Sequence, residues 1–236
     1  MKIQLHATSM FFALALSGCG GGGGATPAAT PTGPVASTNS FPLQSGYKAL
    51  VATGSSATFT ISGTCTGTAT ISDSAPVAAT FESIAGVSVT GTITAAFTNC
   101  TPATAASTSV SYYDSNYLPL GSSTPGSEYT KLASPSTGIA ASVKVGDTAI
   151  FATINTYTNS TKTTLTGQRV VSYVIEPDTA TTAITNVISK GYNTSNQLLF
   201  TQQSRYRMGL TGELSFVSID VQYSTTSTTH LIYTKT

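Results

Sequence analysis

The chain has 236 residues, of which 10 are basic, 9 acidic and 2 histidine, so its formal net charge is +1. Only 8 % of the residues are charged, against about 25 % in ordinary soluble domains, whereas 44 Thr and 31 Ser supply 75 small hydroxyl side chains. The apolar content of 40 % suffices for a core and excludes general disorder. Because nucleic-acid affinity depends on cations that neutralise phosphates, a chain without basic runs is not expected to bind nucleic acid.

The first 45 residues have the organisation of an export signal followed by a tether. Met1-Lys2 gives a positive start, and an apolar run follows at residues 9–16. This run is too short to span a bilayer, which takes about 20 residues, and is typical of a signal peptide. Residues 19–45 are rich in Gly, Pro, Ala and Thr, so we predict a flexible tether there.

The end of the apolar run, Leu16-Ser17-Gly18-Cys19, resembles the lipobox of bacterial lipoproteins, a Leu and two small residues before a Cys. The resemblance implies that residues 1–18 are cleaved off and that Cys19 carries the lipid anchor. It also implies a cell-envelope location. Gly20, in place of the Asp that retains many such proteins in the inner membrane, favours the outer membrane. As a whole the chain is similar to Gram-negative lipoproteins with a Thr/Ser-rich β-body and a Cys pair, a resemblance that brings no known activity.

Cys65 and Cys100 remain once Cys19 is assigned to the anchor. An even number of cysteines in an oxidising compartment predicts a disulfide between them. Two buried free thiols are the alternative.

Residues 46–113 are predicted to form an N-terminal β subdomain that carries this disulfide. Residues 76–85 fit either a loop or a short helix. The next stretch, 114–138, contains three Pro and three Gly, so we predict a linker loop. The strands predicted in the subdomain are residues 49–52, 58–62, 66–72, 87–98 and 108–113.

Residues 139–236 show strand-like runs between short turn signals. Links this short allow hairpins but not parallel crossovers, so we predict a C-terminal antiparallel meander. Because few charges protect the strand edges, the sheet should curl or close. The fold class is therefore all-β, an antiparallel meander forming a curled sheet, half-barrel or sandwich with few or no helices. The predicted strands are residues 139–145, 149–158, 163–175, 182–190, 197–208, 214–223 and 228–234.

Two groups of residues are candidates for binding. Tyr112, Tyr113, Tyr117 and Tyr129 lie in or beside the chemically varied stretch 114–138, and loops often carry function. A packed linker is the alternative for these tyrosines. Arg205 and Arg207 share one strand face and are suited to an anion or a lipid phosphate; the alternative is ion pairing with Glu213 or Asp220 on the next strand.

The sequence offers little for catalysis. After cleavage His230 would be the single histidine, and the sequence has no G-x-S-x-G, H-E-x-x-H or P-loop motif. Glu176 and Asp178 flank a proline turn, and the carboxylates are expected to titrate near their ordinary pKa values. We predict no catalytic residues, no cofactor and no metal site.

These observations favour a non-enzymatic cell-envelope lipoprotein that acts as a binding or structural module through its β-surface. Its partners would be the membrane, through the anchor, and an envelope protein, a glycan or an apolar ligand. One alternative is a half-barrel that shelters an apolar ligand or lipid. A hydrolase is a further alternative.

Overall fold

The computed structural model describes residues 33–224 and 229–236, and strands make up most of them. The predicted all-β antiparallel fold is confirmed. The signal peptide, the lipobox with Cys19 and most of the tether lie outside the described residues. The elements are α1 (Leu43–Ala52), β1 (Ser55–Gly63), β2 (Gly67–Asp73), β3 (Val77–Phe81), β4 (Ile84–Phe97), β5 (Thr104–Asp114), β6 (Pro119–Thr124), β7 (Glu128–Leu132), β8 (Thr148–Tyr157), β9 (Leu165–Pro177), β10 (Thr182–Asn193), β11 (Leu198–Gly209), β12 (Leu214–Tyr223) and β13 (His230–Lys235).

The strands form one sheet that closes into a barrel. From β4 to β13 each strand pairs with the next, and β13 then pairs with β1 and β1 with β2. An antiparallel pairing of β2 with β4 closes the ring, so every strand except β3 belongs to a barrel of twelve strands. Closure protects a wall that has few charged side chains, because a ring of paired strands has no free edge.

Side chains alternate between the barrel interior and the outer wall. Along β9, Arg169, Val171, Tyr173 and Ile175 are buried, and the residues between them are partly exposed. This period of two is the pattern expected of a sheet with one buried face.

Helix α1 closes one end of the barrel, which we call the helix end. Leu43, Tyr47 and Val51 recur at helical spacing and are buried against the main core, which includes Phe151 and Ile175. The prediction of a strand at residues 49–52 is therefore wrong, because the apolar positions follow the helical period.

Gly46 allows α1 to approach the turn between β11 and β12. A Cβ atom at this position would lie 2.1 Å from the carbonyl oxygen of Gly212. Only glycine permits so close a backbone contact.

Two further stretches differ from their predicted structure. Residues 114–138, predicted as a linker, contain β6 and β7, and the glycine of their connecting turn, Gly126, has a φ of 70°. Residues 76–85 form β3 and the turn into β4. The reason is that Pro76, and the Pro and Gly residues of the stretch 114–138, mark strand starts and tight turns as well as loops.

Residues 139–145, predicted as a strand, form only an isolated bridge from Val143 to Phe41. Their apolar side chains still join the core, where Ile139 and Val143 are buried. The apolar residues of this stretch are therefore buried, but the predicted strand is wrong.

The predicted disulfide between Cys65 and Cys100 is confirmed. The Sγ atoms are 1.98 Å apart and the Cα atoms 5.7 Å apart. The bond joins the turn between β1 and β2 to the turn between β4 and β5, at the barrel end opposite α1, which we call the disulfide end. It thus lies beside the β2–β4 pairing that closes the ring.

The described chain begins at the helix end. Val35 forms a bridge with Asp178, which follows β9, and Phe41 forms one with Val143. None of the described helices has the length and apolar character needed to cross a membrane.

Candidate functional site

The four tyrosines singled out from the sequence occupy different places. Tyr112 and Tyr129 belong to a cluster on the outer wall, where Tyr112 is partly exposed and Tyr129 is buried, whereas Tyr113 is buried in the main core with Tyr47 of α1. The ring of Tyr117 lies 5.5 Å from the Nζ atom of Lys48 at the helix end. Tyr112 and Tyr113 are neighbours on β5 and belong to different clusters, although both line a common cavity.

The hairpin of β3 and β4 brings a third ring between the two outer tyrosines. The ring centroid of Phe81 lies 4.5 Å from that of Tyr112 and 5.5 Å from that of Tyr129, both in stacked orientation. Gly121 lies beneath this stack, and a Cβ atom there would come within 2.7 Å of the Phe81 ring. The stack therefore depends on a glycine at this position.

A carboxylate and two lysines complete what we call the outer aromatic cluster: Phe81, Glu82, Tyr112, Tyr129, Lys131 and Lys162. The hydroxyl of Tyr129 donates to Glu82 Oε1 over 2.7 Å, and Lys131 donates to Oε2 over 2.9 Å. Lys162 also donates to Glu82, and its Nζ atom lies 5.6 Å from the Tyr129 centroid. The lysine side chains are 42 % and 32 % exposed, so both still reach solvent.

The electrostatics of this cluster keep Glu82 ionised. Hydrogen bonds from Lys162, Tyr129 and Lys131 lower the pKa of Glu82 to about 2. Burial, followed by the Glu82 carboxylate, raises the pKa of Tyr129, so the phenol stays protonated. Two cations and one anion leave a net charge of +1 beside a stack of aromatic faces.

Sequence analysis found Tyr112 and Tyr129 but missed Phe81, Glu82, Lys131 and Lys162. The turn between β3 and β4 consists of Glu82 and Ser83, with φ values of 51° and 70°. Such a two-residue turn usually carries Asn-Gly or Asp-Gly. Without that signal, the hairpin that delivers Phe81 could not be recognised from the sequence.

Arg205 and Arg207 lie in ion pairs on another part of the outer wall. Arg205 Nε lies 2.7 Å from Glu176 Oε2, and Arg207 donates to both carboxylate oxygens of Asp178 over 2.7 and 3.0 Å. The hydrogen bonds from Arg207 lower the pKa of Asp178. Glu176 lies at the end of β9, two strands from β11, and Asp178 follows that strand, so neither carboxylate comes from the neighbouring strand that the sequence suggested.

A small cavity of about 70 Å³ lies in the barrel interior. Aromatic side chains from Tyr47, Tyr113 and Phe151 line one part, and Thr130 and Arg169 belong to its polar part. Pockets for drug-sized ligands are larger, at about 300–1,000 Å³.

A buried ion pair lies at the polar side of this cavity. Arg169 Nη2 donates to both carboxylate oxygens of Glu128, over 2.5 and 2.6 Å. The two side chains are only 4 % and 10 % exposed. The guanidinium carbon also lies 5.6 Å from the ring centroid of Phe200. The charges therefore compensate each other inside the barrel.

The expectation of near-ordinary carboxyl pKa values is wrong for several groups. Burial raises the pKa of the half-buried Asp73 to about 6, although a hydrogen bond with Ser55 opposes the shift. Burial also raises the pKa of Asp220, and the attraction of His230 opposes it. His230 Nε2 lies 2.7 Å from Asp220 Oδ1. Closure of the barrel buries strand positions that would be solvated in an open sheet.

Replacing Asp73 with Asn should remove a pH dependence of stability. A carboxyl whose pKa is raised on folding stabilises the fold below its unfolded value of 3.8, and this contribution is lost as pH rises through about 6. The wild-type free energy of unfolding, relative to that of Asp73→Asn, should fall by up to about 3 kcal/mol over this range. Urea denaturation of both proteins at pH 4, 5, 6 and 7 measures the difference. Parallel pH profiles would contradict the prediction.

Within the ranges 33–224 and 229–236, no group of three or more His, Cys, Asp or Glu side chains could hold a metal ion. The chain matches no protein-family model, and no curated protein or solved structure is significantly similar to it.

Proposed function

We propose that this protein is a lipid-anchored, non-enzymatic module of the cell envelope, held in the outer membrane, that binds a partner through its outer aromatic cluster. One observation carries the proposal: the partly exposed Tyr112, stacked on the buried ring of Phe81, and two partly exposed lysines lie in one region of the outer wall. The lipobox resemblance around Cys19 supports the anchor. Since the described chain begins at the helix end, a tether to Cys19 would leave the wall and the disulfide end free to meet a partner.

Replacing Cys19 with Ala should abolish lipid attachment. Cells expressing the full chain would be labelled with radioactive palmitate, and the protein would be immunoprecipitated. We expect label in the wild type and in Cys100→Ala, which serves as a cysteine control, and none in Cys19→Ala. Equal labelling of all three proteins would contradict the anchor.

The chemistry of the cluster suits an acidic glycan of the envelope. The partly exposed ring of Tyr112, which stacks on the buried Phe81, offers an apolar surface with a polar hydroxyl that suits the mixed polarity of a sugar. Lys131 and Lys162 can share their donors between Glu82 and an acidic group of the partner, since each ammonium has three N–H bonds. The net charge of +1 favours an anionic partner over a cationic one.

Replacing both cluster lysines with Gln should weaken binding to an acidic glycan. Purified peptidoglycan sacculi, which are insoluble, would be sedimented with the wild type, with Lys131→Gln/Lys162→Gln, and with the matched control Lys144→Gln/Lys190→Gln. We expect the sedimented fraction to fall several-fold in the cluster variant, and the wild-type fraction to fall with added salt. Unchanged thermal unfolding would show that the fold is intact.

Equal sedimentation of the three proteins, or a loss of equal size in the control, would contradict the proposed site. The anchor would be unaffected by that outcome, because the palmitate experiment tests it separately.

The alternative of an apolar-ligand carrier receives less support from the interior. The cavity of about 70 Å³ is well below the size of ordinary ligand pockets. Helix α1 and core side chains occupy the helix end of the barrel. The outer wall therefore remains the better candidate for a binding surface.

A further inference from the structure

Strand β3 has a hydrogen-bonded neighbour on one side only, unlike each strand of the closed ring. It pairs with the first part of β4, Ile84–Ser88, whereas β2 pairs with the later part, Gly91–Phe97. The opposite edge of β3 carries no strand among the described residues. Val77, Ala78 and Thr80 are exposed along it.

The turn fixes which backbone groups this edge presents. In a two-residue hairpin the residues that flank the turn, here Phe81 and Ile84, form a hydrogen-bonded pair. Because hydrogen-bonded and non-hydrogen-bonded pairs alternate, Ala79 also bonds to β4, and Ala78 and Thr80 point their N–H and C=O groups outward. The edge therefore presents two donors and two acceptors from these residues.

The usual protections against edge pairing are missing. Residues Val77–Phe81 contain no charge, and Pro76 precedes the strand but does not lie within it. Val77 is 61 % exposed, and Ile84 in the same hairpin is also exposed. Natural edge strands usually carry charges, prolines or bulges that prevent pairing with another chain.

We propose that the β3 edge pairs antiparallel with the β3 edge of a second copy of this chain, about a twofold axis at Ala79. In this register Ala78 lies opposite Thr80 of the partner subunit, and the twofold axis generates a second, identical pair. Each pair exchanges two backbone hydrogen bonds, which gives four in total. A neutral edge has no like charges to oppose its own copy. The contact is far smaller than the roughly 800 Å² per partner of a stable interface, so pairing is reversible.

This pairing goes beyond the proposed function and does not depend on the lipid anchor. It places Ala79 opposite its own copy in a non-hydrogen-bonded pair, where Cα atoms are about 4.5 Å apart. That distance suits a disulfide. Ala79→Cys should therefore trap the dimer covalently.

The test uses the full chain with Cys19→Ala, so that the introduced thiol is the single cysteine outside the Cys65–Cys100 bridge. After oxidation with copper phenanthroline, Ala79→Cys should give several-fold more dimer on a non-reducing gel than Ala96→Cys. Ala96 is a matched control because it is exposed on β4 and is paired there with β2 on one side and with β5 on the other. Similar dimer yields from the two cysteine variants would overturn the proposal.

A second substitution separates edge pairing from random collision. Thr80→Pro removes an outward N–H but no hydrogen bond to β4, so the hairpin should remain. Added to Ala79→Cys, it should reduce the dimer several-fold, and Thr80→Lys should do the same through repulsion between the two copies. Undiminished dimer in both variants, with unchanged thermal unfolding, would also overturn the proposal.

Discussion

Replacing both Cys65 and Cys100 with Ala should lower the free energy of unfolding by about 3–4 kcal/mol. The disulfide closes a loop with a sequence separation of 35, and a crosslink of this span removes considerable chain entropy from the unfolded state. Urea denaturation of the full chain measures the loss as a lower midpoint. The protein with Cys19→Ala is the matched control, and its midpoint should be unchanged.

The loss of stability should be greatest in strands β2 and β4, whose pairing closes the barrel. The disulfide joins the two turns beside the β2–β4 pairing, so amide protons of these strands should exchange faster in the double variant than those of β9 and β10. Treatment of the wild type with a reducing agent should reproduce both effects. An unchanged midpoint after reduction would show that the crosslink contributes little to stability.

Replacing Arg169 with Met should destabilise the protein by about 3–5 kcal/mol. The substitution leaves the Glu128 carboxylate inside the barrel without the guanidinium that donates to both of its oxygens. Removing the cation from beside a buried carboxylate is costly, whereas the net contribution of a complete buried pair is small. The double variant Arg169→Met/Glu128→Gln should therefore recover most of the lost stability.

Arg207→Met is the matched control for this experiment. Arg207 is also hydrogen-bonded to a carboxylate, that of Asp178, but its side chain is 50 % exposed. Surface pairs contribute about 0–1 kcal/mol, so this variant should unfold close to the wild type. Equal losses from Arg169→Met and Arg207→Met, measured by urea denaturation, would mean that burial does not set the cost of breaking these pairs.

Only part of the outer aromatic cluster could be predicted from the sequence. Tyr112 and Tyr129 were predicted as binding residues because they lie in or beside a Pro- and Gly-rich stretch, and loops often carry function. Glu82 could not be connected with Lys162, 80 positions away, because no local pattern relates the two. The carboxylate partners of Arg205 and Arg207 were likewise expected on the next strand, whereas they are Glu176 at the end of β9 and Asp178 just after it.

By itself the sequence determined the all-β class, most strands of the meander and the disulfide pair. These properties follow from local signals: a hydrophobic period of two, turn residues between the runs, and an even number of cysteines. Only the tertiary structure decided that β2 meets β4, that α1 fills the helix end, and that Arg169 meets Glu128 inside the wall. Such contacts join residues far apart in the chain, and they form because closure buries apolar surface and satisfies backbone hydrogen bonds all around the ring.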